Sequence, residues 1–419
     1  MGLDDPPAIA RSDDLPPAAQ AAVSAYLEQL AEPSDTRSVT VAWAPGRVNL
    51  IGEHTDYNDG WVLPVAVDRV VAVAGRPHAG LSSRLYSVHH GQRRALHLDM
   101  AMATSAGGGP LWLRLARAVH QEVAGEAGVE ANAVPHYTAA IAGDVPVGGG
   151  MSSSAAYEVA LATFLAALGG PRFPPMTTAR LCQRAEQIGA GVRIGVMDQA
   201  AACLGRAGHA LLLDCRSLAH EYIPVNLPGV ALAVFDTRVS RSLAGTAYNE
   251  RRAQCAEAVE LLAAAIHRDQ PARSIHSLRD ITLDDLHRHG DALPEALLRR
   301  ARHVVSENLR VLDAVTALRA GDGERLGGLL YASHASLRDD YAVSCPELDT
   351  VVAIAAGVPG VLGARMMGAG FGGSALILLR NEALQALHAT LPPTYEQRTG
   401  RMGALHVCHI RGGPESRRV

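Results

Sequence analysis

An α+β protein of two domains is the prediction from this sequence, on three observations. A length of 419 residues exceeds what one hydrophobic core usually serves, and 48% apolar against 19% charged residues allow a sizeable interior. Segments with strand-like and helix-like spacing are mixed without strict βαβ alternation, which favours α+β layers over a doubly wound sheet. A break carrying Pro224 and Pro228 separates two strand patterns, and it places the boundary between an N-terminal domain, 16–225, and a C-terminal domain, 226–419.

The elements follow in chain order. Residues 1–15 are acidic and proline-rich and read as a loose tail. Pro16–Leu30 reads as a helix entered through prolines, which suit a first turn. Residues 39–44 alternate as a strand and run into Pro45-Gly46, and two β-branched stretches follow at 62–67 and 70–74. Gly107-Gly108-Gly109-Pro110 is a break, and a helix is predicted from Leu111 to Ala124. Ala155–Leu168 is a helix stopped by Gly169-Gly170-Pro171, and a second covers Thr178–Ile188. Strands are expected at Ala210–Asp214 and Val230–Asp236. Beyond them lie helical patterns at Leu243–Ile266, Leu297–Leu318 and Glu324–Ser336, then strands at Val361–Met366, Ala375–Leu379 and Leu405–Ile410.

Composition excludes several function classes. Net charge is −4, without the basic excess of a nucleic-acid or membrane-surface protein. All 38 basic residues are arginine, so Walker-type P-loops, Schiff bases and catalytic lysines are ruled out. Six scattered cysteines form no C-x-x-C pair and read as free thiols. The N-terminus lacks a basic start followed by an apolar stretch, and no apolar run reaches about 18 residues. A cytoplasmic protein is expected.

Four segments carry chemistry. Pro146-Val-Gly-Gly-Gly-Met-Ser-Ser-Ser154 precedes a helix: its glycines let backbone approach an anion, and first-turn N–H groups attract phosphate. Read alone, it is as readily a flexible loop with a serine cap. Glu186 flanks the apolar face of the next helix, as a solvated glutamate or as a cation ligand. Asp198, after Val196-Met197, is a helix cap or a partly buried functional acid. Glu53-His54-Thr55-Asp56-Tyr57 crowds groups that hydrogen-bond a polyol into one short turn, which is otherwise a polar surface turn.

Gly46-Arg47 through Tyr57, with Met197-Asp198-Gln199, resembles the galactokinase signature. Pro146–Ala155 and Gly368–Gly373 resemble the phosphate loop and third glycine motif of the wider superfamily of galactokinase, homoserine, mevalonate and phosphomevalonate kinases. The likeness spans about residues 40–380. It implies a mixed-sheet N-terminal domain, a ferredoxin-like α/β sandwich C-terminally, and an active site between them. It implies a monomer that phosphorylates D-galactose at C1 with ATP and Mg²⁺, the first committed step of galactose catabolism, with no nucleic-acid or membrane partner. A kinase for N-acetylgalactosamine or arabinose, or a non-catalytic galactose and ATP sensor, is the alternative.

Residue by residue, the resemblance makes Asp198 the proton acceptor and Arg47 the transition-state cation. Glu53, His54, Thr55, Asp56 and Tyr248 become sugar contacts. Gly148, Gly149, Gly150, Met151, Ser152, Ser153 and Ser154 hold the nucleotide phosphates, with Ser154 and Glu186 on the metal. Three departures stand out: Val192-Arg193-Ile194 before Gly195, Gln187, and Met151 where relatives carry leucine.

Overall fold

The computed structural model describes residues 14–32, 36–80, 82–88, 95–98, 109–239 and 244–419. Nearly all of the expected tail, Gly107-Gly108 and Leu243 lie outside the described residues.

The chain begins with α1 (Pro17–Gln29), β1 (Thr40–Asn49), β2 (Trp61–Val62), β3 (Pro64–Pro77), β4 (Ser83–Ser87) and β5 (Leu96–Leu98). It continues through α2 (Leu111–Ala127), β6 (Tyr137–Gly143), α3 (Ser153–Ala167), α4 (Pro175–Ala190), α5 (Met197–Leu204), β7 (His209–Asp214) and β8 (His220–Pro224). Then come β9 (Val230–Asp236), α6 (Ala244–Asp269), α7 (Leu283–His289), α8 (Glu295–Ala320), α9 (Gly323–Asp339) and α10 (Pro346–Ala356). β10 (Val361–Met367), β11 (Ser374–Arg380), α11 (Leu384–Thr399), β12 (Ala404–Cys408) and β13 (Glu415–Arg418) complete it.

The first sheet has the order β13-β1-β3-β6-β4-β5. It is mixed, because β4 runs parallel to β6 while the other pairs are antiparallel. The two-residue period of a strand sorts its faces. Val41, Trp43, Ala72 and Ala74 pack on α1, whereas Ala42, Ala44, Val71 and Val73 join the core built with α2, α3 and α4. The second sheet, β10-β11-β9-β12, is antiparallel throughout and has the ferredoxin-like strand order. Ala233 and Phe235 of β9 face the C-terminal helices, while Leu232 and Val234 belong to the N-terminal core. The halves are therefore packed through β9 and its neighbours. A small sheet, β2-β7-β8, completes the fold.

Most expected elements lie within a few residues of the observed ones, but three expectations need correction. The strand expected at 39–44 runs on to Asn49, because a register shift between Pro45 and Arg47 absorbs Pro45-Gly46 without ending the ladder. The stretch 62–67 is divided: Trp61–Val62 pairs with β7, and 64–74 is one strand through Asp68-Arg69. The last strand, β13, crosses back to β1, so the proposed division at 225/226 does not confine 226–419 to one side.

Short or unsupported segments escaped the sequence reading: β4, β5, β6, β8, α5, α7, α10 and α11. Helix α11 carries Pro392-Pro393 internally; Leu387, Leu391 and Tyr395, spaced four apart and fully buried, hold it against the second core. Among the described residues no helix is long and apolar enough to cross a membrane.

Candidate active site

The bulge at Gly46 aims Arg47. A Cβ at Gly46 would lie 2.7 Å from the Met151 carbonyl, so only glycine lets β1 approach the phosphate loop. The Arg47 N–H donates to that carbonyl at 3.1 Å. The Arg47 side chain, 4% exposed, then reaches Asp198 in the first turn of α5. Nε donates to Oδ1 at 2.8 Å and Nη2 to Oδ2 at 2.9 Å, a two-point clamp, while Nη1 donates to the Gly150 carbonyl. The Ser152 hydroxyl donates to the same Asp198 carboxylate. Asp198 is thus a first-turn acid, not a cap, and its side chain remains 26% exposed.

The polar turn after β1 is built from unusual backbone. Gly52 and His54 both have positive φ, 102° and 64°. Glu53 is 1% exposed; Gly368 N–H donates to its Oε1 at 2.7 Å, Arg365 Nη2 stands 3.3 Å away, and Asn49 donates to Oε2. Burial and the charge of nearby groups lower the His54 pKa to about 3, so its ring is neutral. Its Nδ1 meets the Tyr57 hydroxyl at 2.7 Å. Burial, then the Asp198 charge, raises the Asp56 pKa to about 7. A Cβ at Gly195 would overlap the Asp56 carboxylate, so that glycine is required by space alone.

The loop before α3 leaves that helix without a side-chain cap. Its first N–H groups therefore have no helical partner and point toward incoming charge. Gly148 and Gly150 adopt positive φ, 74° and 76°. Beyond the loop, Ser154 Oγ donates to Glu186 Oε1 at 2.7 Å. Gln199 Nε2 bridges Glu186 Oε2 at 2.6 Å and Glu158 Oε2 at 3.1 Å. Burial raises Glu186 to about 7 and pushes Glu158 well above the carboxylate range.

These segments converge on one cleft of about 240 Å³. Arg47, Glu53, His54, Asp56, Gly148, Gly150, Ser152, Ser153, Ser154, Glu186, Asp198 and Tyr248 all line it. Three expected residues do not. Thr55 is fully buried, its hydroxyl within hydrogen-bonding distance of two carbonyls, Gly52 at 2.8 Å and Trp61 at 2.7 Å, so it shapes the turn from behind. Met151 is fully buried in the N-terminal core and anchors the loop by its side chain. Gly149 turns its carbonyl to the Ser374 hydroxyl. Lining residues given no role from sequence include Gly195, Gly368 and Ala369, although the glycine-rich stretch was itself a signal for the last two; Ile194, one of the departures before Asp198, also lines the cleft. Behind the wall, Gln199 belonged to the Met197-Asp198-Gln199 stretch without a role of its own, and Glu158 had no signal beyond its closeness to the serines. Gln183 and Gln187 both donate to the Ile194 carbonyl, at 3.1 and 3.0 Å, so the departing segment is braced.

The fold and the serine-glycine loop match the GHMP kinases: their N-terminal domain model covers residues 112–206 and their C-terminal model 314–392. A mevalonate kinase from Methanococcus jannaschii, 15% identical with a TM-score of 0.61 over 91% of this chain and 100% of that one, shares the fold. Residues 31–77 match the galactokinase galactose-binding signature. A curated galactokinase from Chloroflexus aggregans is 44% identical over 375 residues, 89% of this chain and 92% of the relative. The human galactokinase is 42% identical over 350 residues, 83% and 84% of the two chains. The crystal structure of Lactococcus lactis galactokinase complexed with galactose superimposes with a TM-score of 0.85 at 33% identity, covering 94% of this chain and 98% of that one. The chain belongs to the galactokinase family.

Proposed function

We propose that this chain transfers the terminal phosphoryl group of ATP to the C1 hydroxyl of D-galactose, giving α-D-galactose 1-phosphate and ADP. The observation that carries the reading is the Arg47–Asp198 clamp, which stands between the polar turn and the phosphate loop in one cleft. The Lactococcus lactis relative with galactose bound supports the choice of sugar.

Phosphoryl transfer asks mainly for positioning and for groups that offset developing charge. In this reading Glu53, His54, Asp56 and Tyr248 hold the sugar. Gly148, Gly150, Ser152 and Ser153, with the N-terminus of α3, hold the phosphates. An adjoining apolar cavity of about 390 Å³, lined by Trp112, Leu115 and Tyr157 and sharing Ser153 and Ser154, takes the nucleotide base. The C1 oxygen attacks the terminal phosphorus, the bond to the bridging oxygen breaks, and ADP leaves with that electron pair. Asp198 receives the hydroxyl proton, and Arg47 keeps the carboxylate aimed and offsets charge on the transferred group.

The donor set suits Mg²⁺. Ser154 and Glu186 supply two oxygens at the loop, and among the described residues Glu186 lies buried without an ion pair. Among the described residues no cluster of three or more metal-ligating side chains exists, so phosphate oxygens and waters would complete the shell. When bound, the ion would neutralise phosphate charge. The free cysteines fit a reducing cytoplasm, and the expected monomer is checked by light scattering.

The test is Asp198→Asn. ADP release with galactose should fall by about 10²–10⁴ while calorimetry still detects galactose and nucleotide binding. Wild-type-like turnover in the variant rejects the assignment. The wild type tested on galactose, N-acetylgalactosamine and arabinose separates the sugar classes.

A further inference from the structure

The described cleft is backed by a buried chain of hydroxyl groups that the reaction itself does not use. His54 Nδ1 meets Tyr57 Oη at 2.7 Å, Tyr57 Oη meets Tyr341 Oη at 2.7 Å, and Tyr341 Oη meets Cys255 Sγ at 3.1 Å. Tyr341, His54 and Cys255 are 0%, 5% and 2% exposed. The His54 ring is walled by aromatic neighbours, its centroid 4.7 Å from Tyr341, 5.8 Å from Tyr57 and 5.7 Å from Tyr248. His303 packs against Tyr341 with the rings tilted by 43° and 4.6 Å apart, and its Nε2–H donates to the Glu53 carbonyl at 3.1 Å.

The elements involved are far apart in the chain. Tyr341 follows α9, its N–H donating to the Ser336 carbonyl at 2.9 Å, and Arg251 Nε of α6 donates to the Tyr341 carbonyl at 3.0 Å. Two residues on, the Val343 carbonyl accepts from Phe371 in the third glycine-rich stretch at 2.7 Å. Tyr341 is therefore held rigidly by the C-terminal half while its hydroxyl reaches the sugar turn.

Chemistry sets the direction of the chain. A thiol sulfur accepts hydrogen bonds weakly, so the Tyr341 O–H is best spent on the Tyr57 oxygen. With that direction the Tyr57 O–H is left for His54 Nδ1, which would put the ring proton on Nε2, a buried atom without a hydrogen-bond partner among the described residues and lying in the ring that lines the cleft. A left-handed non-glycine backbone such as that of His54 persists only where its surroundings over-determine it.

We propose that Tyr341 is a positioning residue of this kinase: through Tyr57 it fixes the orientation and tautomer of His54, so that the C-terminal half of the chain sets affinity for the sugar. The proposal rests on the galactose reading above. Phosphate binding and the Asp198 chemistry lie outside this chain of contacts, which predicts a split between the kinetic constants.

The experiment compares wild type, Tyr341→Phe, Tyr57→Phe and the double variant. Wild-type turnover with galactose is measured first; its absence rejects the function, not this inference. With the wild type active, Tyr341→Phe should raise galactose KM about fivefold or more, with ATP KM and kcat within about twofold. The double variant should be no worse for galactose KM than Tyr57→Phe, because both break one chain. Nitrogen-15 spectra of histidine-labelled protein, with His54 identified by its loss in His54→Gln, should show one tautomer in the wild type and a mixture in Tyr341→Phe. An unchanged galactose KM with a single tautomer overturns the proposal. So does a loss shared equally by kcat and both KM values. If Tyr341→Phe does not fold, Tyr57→Phe carries the same KM and tautomer comparison.

Discussion

Asp56 shares the cleft with Asp198, but among the described residues no guanidinium clamps it; its Oδ1 accepts the Tyr57 N–H at 3.0 Å. Burial raises its pKa from the ordinary aspartate value of 3.8 to about 7. The folded chain thus holds a proton there that the unfolded chain releases, and stability falls as pH rises from about 4 through about 7. Asp56→Asn should remove this contribution, so the loss of Tm between acidic and neutral pH becomes smaller than in the wild type. Differential scanning calorimetry across that range checks it; an unchanged slope would mean that Asp56 stays ionised. Asp56→Ala should also weaken galactose binding by roughly 1–3 kcal/mol, since a sugar hydroxyl is left without its partner. Isothermal titration reads that loss.

Backbone segments decide how close these side chains come. The 191–196 segment carries Gly195 against the Asp56 carboxylate, with the Ile194 carbonyl held by Gln183 and Gln187. Gly195→Ala should displace Asp56 and raise galactose KM by about tenfold, with ATP KM little changed, measured by steady-state kinetics. The phosphate loop is anchored differently, by Met151 in the core behind it. Met151→Leu conserves volume and should cost less than about 1.5 kcal/mol. Met151→Ala should cost about 2–5 kcal/mol and raise ATP KM, because the loop loses its anchor. Denaturant unfolding together with ATP kinetics separates the two outcomes.

Across the whole molecule, the site is assembled from both halves. The buried Arg365 of β10 stands 3.3 Å from Glu53, and its Nη1 donates to the carbonyls of Asn49 and Leu50, each at 3.0 Å. Glu307 of α8 accepts the Gly52 N–H at 3.0 Å. A buried ion pair is weak evidence of net stabilisation, yet removing one partner strands the other. Arg365→Met should therefore lower stability by about 3–5 kcal/mol and weaken galactose binding, as Glu53 loses its cation. Calorimetric unfolding, with a galactose titration alongside, tests both; full retention of each would show that the second sheet does not support the turn.

Fold class, most helices, the glycine-serine loop and the polar turn at 53–57 were legible in the chain because they rest on local physics: hydrophobic period, proline and glycine punctuation, and the crowding of polar groups in one turn. Asp56 announced itself in this way, whereas the roles of Arg47 and Asp198 came from the resemblance of their segments to the galactokinase signature. Thr55 and Met151 did not reveal their true placement, since facing toward or away from a cleft depends on which element packs behind. The continuation of β1 through Gly46 needed the loop at Met151 beside it, and β13 needed the edge of a sheet whose Thr40 lies 378 positions before its partner Arg418. Likewise Arg365, Gln199 and Tyr341 gain meaning only from partners at long sequence separation. Local sequence sets backbone preference within a few residues, but burial, counter-charge and hydrogen-bond partner are properties of the folded contact, and those were decided by the packing of one half on the other.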